Sequence, residues 1–144
     1  MNTGDKLILL VDDDEDDCIF FQEALEELDV PVLLKIAENG MDAIKQLEEQ
    51  PHMKPDVIFL DINMPVMDGH EFLKYIRSKS FYDDIKIIMY STSYNPTVAE
   101  VLEADGANHF LRKPSNFLTL KDVINRALSI INGAIDNTNF IIAI

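Results

Sequence analysis

Four short predicted strands in this chain end at or near side chains that could do chemistry. The run 7–11 (Leu-Ile-Leu-Leu-Val) leads straight into six acids, Asp12-Asp13-Asp14-Glu15-Asp16-Asp17. Val57–Leu60 ends at Asp61, the run 85–90 ends at Ser91, and the run 108–111 stops two residues short of Lys113. Carboxylates with no His or Cys partner offer hard oxygen ligands, which suit Mg²⁺ or a similar ion. Mg²⁺ usually takes one or two carboxylates and keeps its other positions for water and phosphate oxygens. A Mg²⁺–carboxylate site with a lysine and a hydroxyl at hand is a phosphate site.

These residues meet only if the elements between them bring them together. The run 7–11 reads as a strand buried on both faces. Apolar positions at helical spacing, Cys18, Phe21, Leu25 and Leu28, then predict a helix over 16–28. Val32–Ala37 is a second predicted strand. Asn39-Gly40 marks a turn before a helix that reaches Glu49, and Pro51 and Pro55 bracket a loop. Val57–Leu60 is a third strand. Met64-Pro65 and Asp68-Gly69 are loop signals, followed by a helix over 69–78. The run 85–90 is a fourth strand, and Pro96 suits the first turn of a helix to Ala104. A short fifth strand, 108–111, and a last helix, Phe117–Ile131, precede Gly133, a natural stop.

Strands alternating with helices imply a parallel sheet covered on both faces, with right-handed crossovers. The expected fold is therefore a flavodoxin-like, doubly wound (βα)5 arrangement: five parallel strands in the order 2-1-3-4-5. Ligands of such sheets bind beyond the carboxyl ends of the strands, where the strand order reverses. That place lies between strands one and three. Asp12, Asp13 and Asp61 would converge there, with Ser91 and Lys113 on the same edge.

Composition narrows the function classes. At 144 residues the chain fits one domain and can bury a core without staples. We expect a main body over 1–132 and a C-terminal extension over 133–144, with no separate output domain. The single cysteine, Cys18, excludes an internal disulfide and points to a reducing, cytoplasmic compartment. A formal net charge of −14 repels phosphate backbones and argues against direct nucleic-acid binding. No apolar stretch approaches the roughly 20 residues of a membrane helix, and none reads as a signal peptide.

Each singled-out residue also has a bland explanation. Asp14, Glu15, Asp16 and Asp17 can cap a helix and meet its dipole. A lone Ser or Lys at a strand end is usually structural, so Ser91 and Lys113 stand out only by their joint placement. Cys18 reads as a small core residue. His52, His70 and His109 show no ligand spacing and read as surface or edge residues.

The residues now quoted resemble a known family, the receiver domains of two-component response regulators. The stretch 7–14 resembles its opening strand and acidic pair. Residues 57–69, with Asp61, Asn63, Met64-Pro65 and Asp68-Gly69, are similar to its phosphoacceptor segment. The stretch 87–91 is similar to its fourth strand and switch hydroxyl, and 106–114 to its fifth strand and Lys-Pro pair. The resemblance spans residues 6–131. It implies that Asp61 becomes an aspartyl phosphate. Asp13 would bind Mg²⁺ directly, Asp12 through water, and Asn63 through its backbone carbonyl. Lys113 would pair with a phosphate oxygen, Ser91 would bond another, and Phe110 would change rotamer with it. Met64 and Thr92 would border access to the site. A cis Lys113–Pro114 bond is implied as well. The phosphoryl group would come from a sensor histidine kinase or a phosphotransfer protein.

Two positions depart from the family pattern. Ser91 stands where Thr is commoner, and Thr92 where Ala or Gly is frequent, which could narrow access to Asp61. A haloacid-dehalogenase-type phosphatase also uses a strand-end Asp with Mg²⁺. It wants an acid two residues on, where this chain has Asn63, and a cap insertion for which there is no room. A degenerate receiver, binding a partner without phosphorylation, is a further alternative that the intact Asp12, Asp13, Asp61, Ser91 and Lys113 set opposes. Output is expected through another protein, or through a homodimer using the last helix and the strand four–five face. The closing Phe140-Ile141-Ile142-Ala143-Ile144 is too apolar for a solvated tail. It should either fold back over the last helix or make a protein contact.

Overall fold

The apolar runs are buried because both faces of the sheet they build are covered. The structure, a computed structural model, describes residues 5–134 and 139–143. Its elements in chain order are β1 (Lys6–Val11), α1 (Glu15–Leu28), β2 (Val32–Ala37), α2 (Gly40–Glu49), β3 (Val57–Leu60) and α3 (Gly69–Arg77). A 3₁₀ turn (Ser80–Tyr82) follows, then β4 (Lys86–Ser91), α4 (Pro96–Ala104), β5 (His109–Arg112), α5 (Phe117–Ile131) and β6 (Ile141–Ala143). The sheet order is β2-β1-β3-β4-β5-β6, and every pairing is parallel.

Alternation along each strand divides the core in two. Leu9, Val11, Ile58, Leu60, Ile87 and Met89 pack against α2, α3 and α4. Ile8, Leu10, Val57, Phe59, Ile88 and Tyr90 pack against α1 and α5. In the second layer the ring of Phe21 lies edge-on, 5.0 Å from Phe59 and 5.7 Å from Tyr90. Pairs of this kind contribute about 0.5–1.5 kcal/mol beyond burial. They tie α1 to the two strands that end at Asp61 and Ser91.

The helices begin where their caps dictate. The side chains of Asp14, Asn39, Asp68, Asn95 and Asn116 accept from backbone N–H groups in the first turns of α1 to α5. Gly133 takes φ 77° just past α5, a left-handed turn that suits glycine, and donates to the carbonyl of Ile130.

The sheet departs from the expected five strands. Part of the 133–144 extension forms a sixth, β6, beside β5, with α5 as its crossover helix. Without it the β5 edge would carry unpaired backbone groups. The tail divides between the layers: Ile142 and Ala143 pack in the α1–α5 layer and Phe140 and Ile141 in the α4 layer, with an irregularity in the β5–β6 register between them. Ile130 and Ile131 join Ile142, which explains the broad apolar face of the last helix. The fourth and fifth strands also sit one residue later than expected, so β4 includes Ser91 itself.

Candidate functional site

Strands β1 and β3 end side by side, in register through Val11 and Leu60. Backbone N–H groups continue the ladder: Asp61 donates to the carbonyl of Val11 at 2.9 Å, and Asp12 to that of Ala37 at 3.0 Å. Asp12 and Asp61 are thereby held at adjacent strand ends, at 2% and 7% exposure, while Asp13 is exposed. One oxygen from each of Asp12, Asp13 and Asp61 lies within 4.8 Å of the others. The sequence expectation that the three carboxylates converge is met.

Lys113 enters from β5. Its backbone N–H donates to the carbonyl of Ser91 at 2.7 Å. Its ammonium lies 2.7 Å from Asp12 Oδ2, 2.9 Å from Asp17 Oδ2 and 3.7 Å from Asp61 Oδ2. The same ammonium sits 5.2 Å from the centre of the Tyr90 ring. Burial would depress the Lys113 ammonium, but its hydrogen bonds to Asp12 and Asp17 and the charges of Asp12 and Asp61 hold it above the usual lysine range. Burial pushes the Asp61 carboxyl up to about 6, against the pull of Lys113 and with help from the Asp12 charge.

The peptide before Pro114 is trans, not cis as the resemblance implied, because no cis bond occurs among the described residues. The trans form is the ordinary ground state of such bonds. The lysine side chain is long enough to reach the acids from it.

Ser91 is 1% exposed, and its hydroxyl is the buried side-chain oxygen without a hydrogen-bond partner among the described residues. Such a group costs free energy unless something bonds to it. Phe110 is buried on the next strand, its ring 5.5 Å from Tyr94 and edge-on to it. Thr92 is exposed, and its carbonyl accepts from Arg112 Nε at 3.1 Å. Met64 is buried in the α2–α3 layer instead of lying at the surface. Asn63 is exposed on the loop two residues beyond Asp61.

Gly69, which the sequence showed only as a loop signal, proves essential to this geometry. A Cβ there would stand 2.0 Å from the Asp61 carbonyl oxygen. The Gly69 N–H donates to the carbonyl of Ile62 at 2.8 Å, closing the β3–α3 loop onto the site. The bland explanation holds for Asp14, which caps α1, but not for Asp17, whose carboxylate bonds Lys113. No local signal could have found that pairing, since the two residues are 96 positions apart. Cys18 is buried in the core, and burial and the nearby Asp12 push its thiol up to about 12. His70 pairs with Asp105 at 2.5 Å and takes no part in the carboxylate cluster of Asp12, Asp13 and Asp61.

The pattern of acids, lysine and hydroxyl on this fold has a counterpart among known proteins. A family model, that of the response regulator receiver domain, matches residues 8–125. This chain belongs to the receiver domain family. The chemotaxis protein CheY of Listeria monocytogenes is similar to it, 35% identical over 107 residues that cover 74% of this receiver and 85% of that protein. The phosphorylated cyanobacterial phytochrome response regulator RcpA matches with a TM-score of 0.82 at 28% identity, over 92% of this chain and 98% of that one. The Mn²⁺-bound form of response regulator Rcp1 matches with a TM-score of 0.78 at 27% identity, over 91% and 97%. Other curated relatives are far longer, and this receiver spans 7% to 30% of the first of them. Receiver domains are signalling modules of two-component phosphorelays, and phosphorylation and Mg²⁺ binding are features of the family.

Proposed function

We propose that Asp61 of this receiver is the phosphoacceptor, and that Asp12, Asp13, Asp61 and the backbone carbonyl of Asn63 form its Mg²⁺ site. The observation that carries the reading is the meeting of three carboxylate oxygens within 4.8 Å, with the Lys113 ammonium 3.7 Å from Asp61. An all-oxygen set of this kind fits a hard divalent ion. When bound, Mg²⁺ would neutralise the crowded carboxylates and the charge on the phosphoryl oxygens.

The protein's own part follows from its geometry. An Asp61 oxygen attacks phosphorus of a phosphohistidine on a sensor histidine kinase or phosphotransfer protein. The P–N bond breaks, its electron pair returns to the imidazole nitrogen, and the new O–P bond leaves an aspartyl phosphate. Lys113 offers its ammonium to one phosphoryl oxygen. The unpartnered Ser91 hydroxyl donates to another, and Phe110, on the adjacent strand, adjusts with it. Incubation with acetyl phosphate and Mg²⁺, followed by intact mass and peptide mapping, tests the reading. One phosphoryl group on Asp61 is expected, and an adduct elsewhere refutes it.

The phosphatase alternative has no support from the acid set, since Asn63 stands where that chemistry wants a second acid. We read residues 1–132 as the receiver body and 133–144 as an extension that adds to its sheet. Output would pass to a protein partner, or to a second copy, through the side built by β4, β5 and α5. Val98 and Val101, exposed on neighbouring α4, offer apolar contacts there. The net charge of −14 favours a protein over a nucleic acid as that partner. The buried free thiol of Cys18 suits a cytoplasmic location.

A further inference from the structure

Asp17 lies outside the residues used above, yet its carboxylate is bonded to one of them. Lys113 Nζ has three hydrogens to give. One goes to Asp12 Oδ2 at 2.7 Å and one to Asp17 Oδ2 at 2.9 Å, whereas Asp61 Oδ2 stands beyond hydrogen-bond range at 3.7 Å. One cation is thus shared among three anions, and Asp61 has the weakest hold on it. The two bonded acids differ in their surroundings. The Asp12 side chain is 0% exposed, so water cannot replace its bond to Lys113. The Asp17 side chain, in the first turn of α1, is 30% exposed, so water can take over its hydrogen bonds at small cost.

We propose that Asp17 is a positioning residue that holds Lys113 back from Asp61, so that phosphoryl uptake requires the Lys113–Asp17 bond to open. The inference rests on Asp61 being the phosphoacceptor. A phosphoryl group on Asp61 brings further negative charge to the pocket and draws on the same ammonium. Asp17 competes for that ammonium in the unphosphorylated state. Its own carboxylate can turn to water when the bond opens. The bond therefore sets a threshold on uptake, and removing the Asp17 charge lowers that threshold.

The test compares wild type, Asp17→Asn, Asp17→Glu and, as control, Asp16→Asn. Asp16 is an exposed acid in the same helical turn. Removing it takes away the same charge and the same helix-dipole contact while leaving Lys113 untouched. Two quantities are measured at fixed Mg²⁺ and ionic strength: the rate of adduct formation from acetyl phosphate, and the affinity for beryllofluoride as a phosphoryl mimic. Thermal melts of the same four proteins report folding. Asp17→Asn is expected to raise both quantities by about two- to fivefold, the range of a partly exposed charge pair. Asp17→Glu should return towards wild type and Asp16→Asn should match it. Wild-type values for Asp17→Asn, slower uptake, or an equal gain from Asp16→Asn would each overturn the inference while leaving the adduct on Asp61 in place. Failure of wild type itself to form that adduct would remove the phosphoacceptor reading and this inference with it.

Discussion

The backbone N–H of Phe110 donates to the carbonyl of Phe140 at 2.8 Å. The aromatic residue proposed for the switch is therefore also a pairing point of β6. Phe110 meets Tyr94, in the loop between β4 and α4, through its ring and the tail strand through its backbone.

Deleting residues 134–144 should destabilise the receiver. Ile142 is buried, and exposing a side chain of that size costs about 1.5–3 kcal/mol. The β5 edge and Arg126, which donates to the Ile142 carbonyl at 3.3 Å, would lose their partners. We expect a clear drop in the urea midpoint with little change in slope, and light scattering to show whether the bared edge self-associates. An unchanged midpoint would mean that β6 adds no net stability.

Asp61→Asn should abolish the adduct and stabilise the metal-free fold. A carboxyl raised from about 4 to about 6 on folding is ionised first in the unfolded chain as pH rises. Native stability is then lost between those values, and the loss is complete above about 6. With chelator present, the variant should gain roughly 1–3 kcal/mol near neutral pH and nothing near pH 4. Melts at both pH values check this, and a gain of equal size at both would point to a different cause.

With the metal site as proposed, Mg²⁺ should raise the melting temperature of wild type, because an ion held by the folded carboxylate set and not by the unfolded chain stabilises by mass action. Asp13→Ala should remove most of the rise. Asp13 is exposed, so its loss should leave the metal-free melting temperature nearly unchanged. A wild-type melt indifferent to millimolar-range Mg²⁺ would dismiss the site.

Gly69→Ala should be severe although it adds one methyl group. That carbon would lie 2.0 Å from the Asp61 carbonyl oxygen and 2.9 Å from Ile62 Cα, both backbone atoms that cannot swing away. Overpacking of this kind typically costs about 1–3 kcal/mol or more. Phosphoryl uptake should fall further than stability alone explains, because the strain acts on the backbone of Asp61, the proposed phosphoacceptor. Comparing uptake at a temperature where the variant remains folded separates the two effects.

The helices were legible from apolar spacing and from Pro96 and Gly133 at their ends; of the side chains that meet free N–H groups, Asp14 alone was read as a cap, and Asn39, Asp68, Asn95 and Asn116 show that role only in the structure. Strand alternation hardly showed in the run 7–11, since both faces of β1 are covered and both must be apolar. The acid pair and Asp61 were legible because a doubly wound sheet has one favoured binding edge and the strand ends there carried carboxylates. Gly69 gave only a turn signal, since what forbids a side chain is the backbone of Asp61 folded against it.

By itself, then, the sequence determined the five βα units, the two-layer core, and the set of Asp12, Asp13, Asp61, Ser91 and Lys113 on one edge. Those follow from local rules: the period of apolar residues, the chemistry of caps, and the right-handedness of crossovers. Tertiary structure alone decided three further things. It placed the apolar tail beside β5, because an open sheet edge with a buried pocket for Ile142 lay within reach of the chain after α5. It gave the Lys113 ammonium to Asp12 and Asp17 ahead of Asp61, a choice made by differences of about 1 Å between residues far apart in the chain. It left the Lys113–Pro114 bond trans. Distances of that size depend on how whole elements pack, and no periodicity along the chain encodes them.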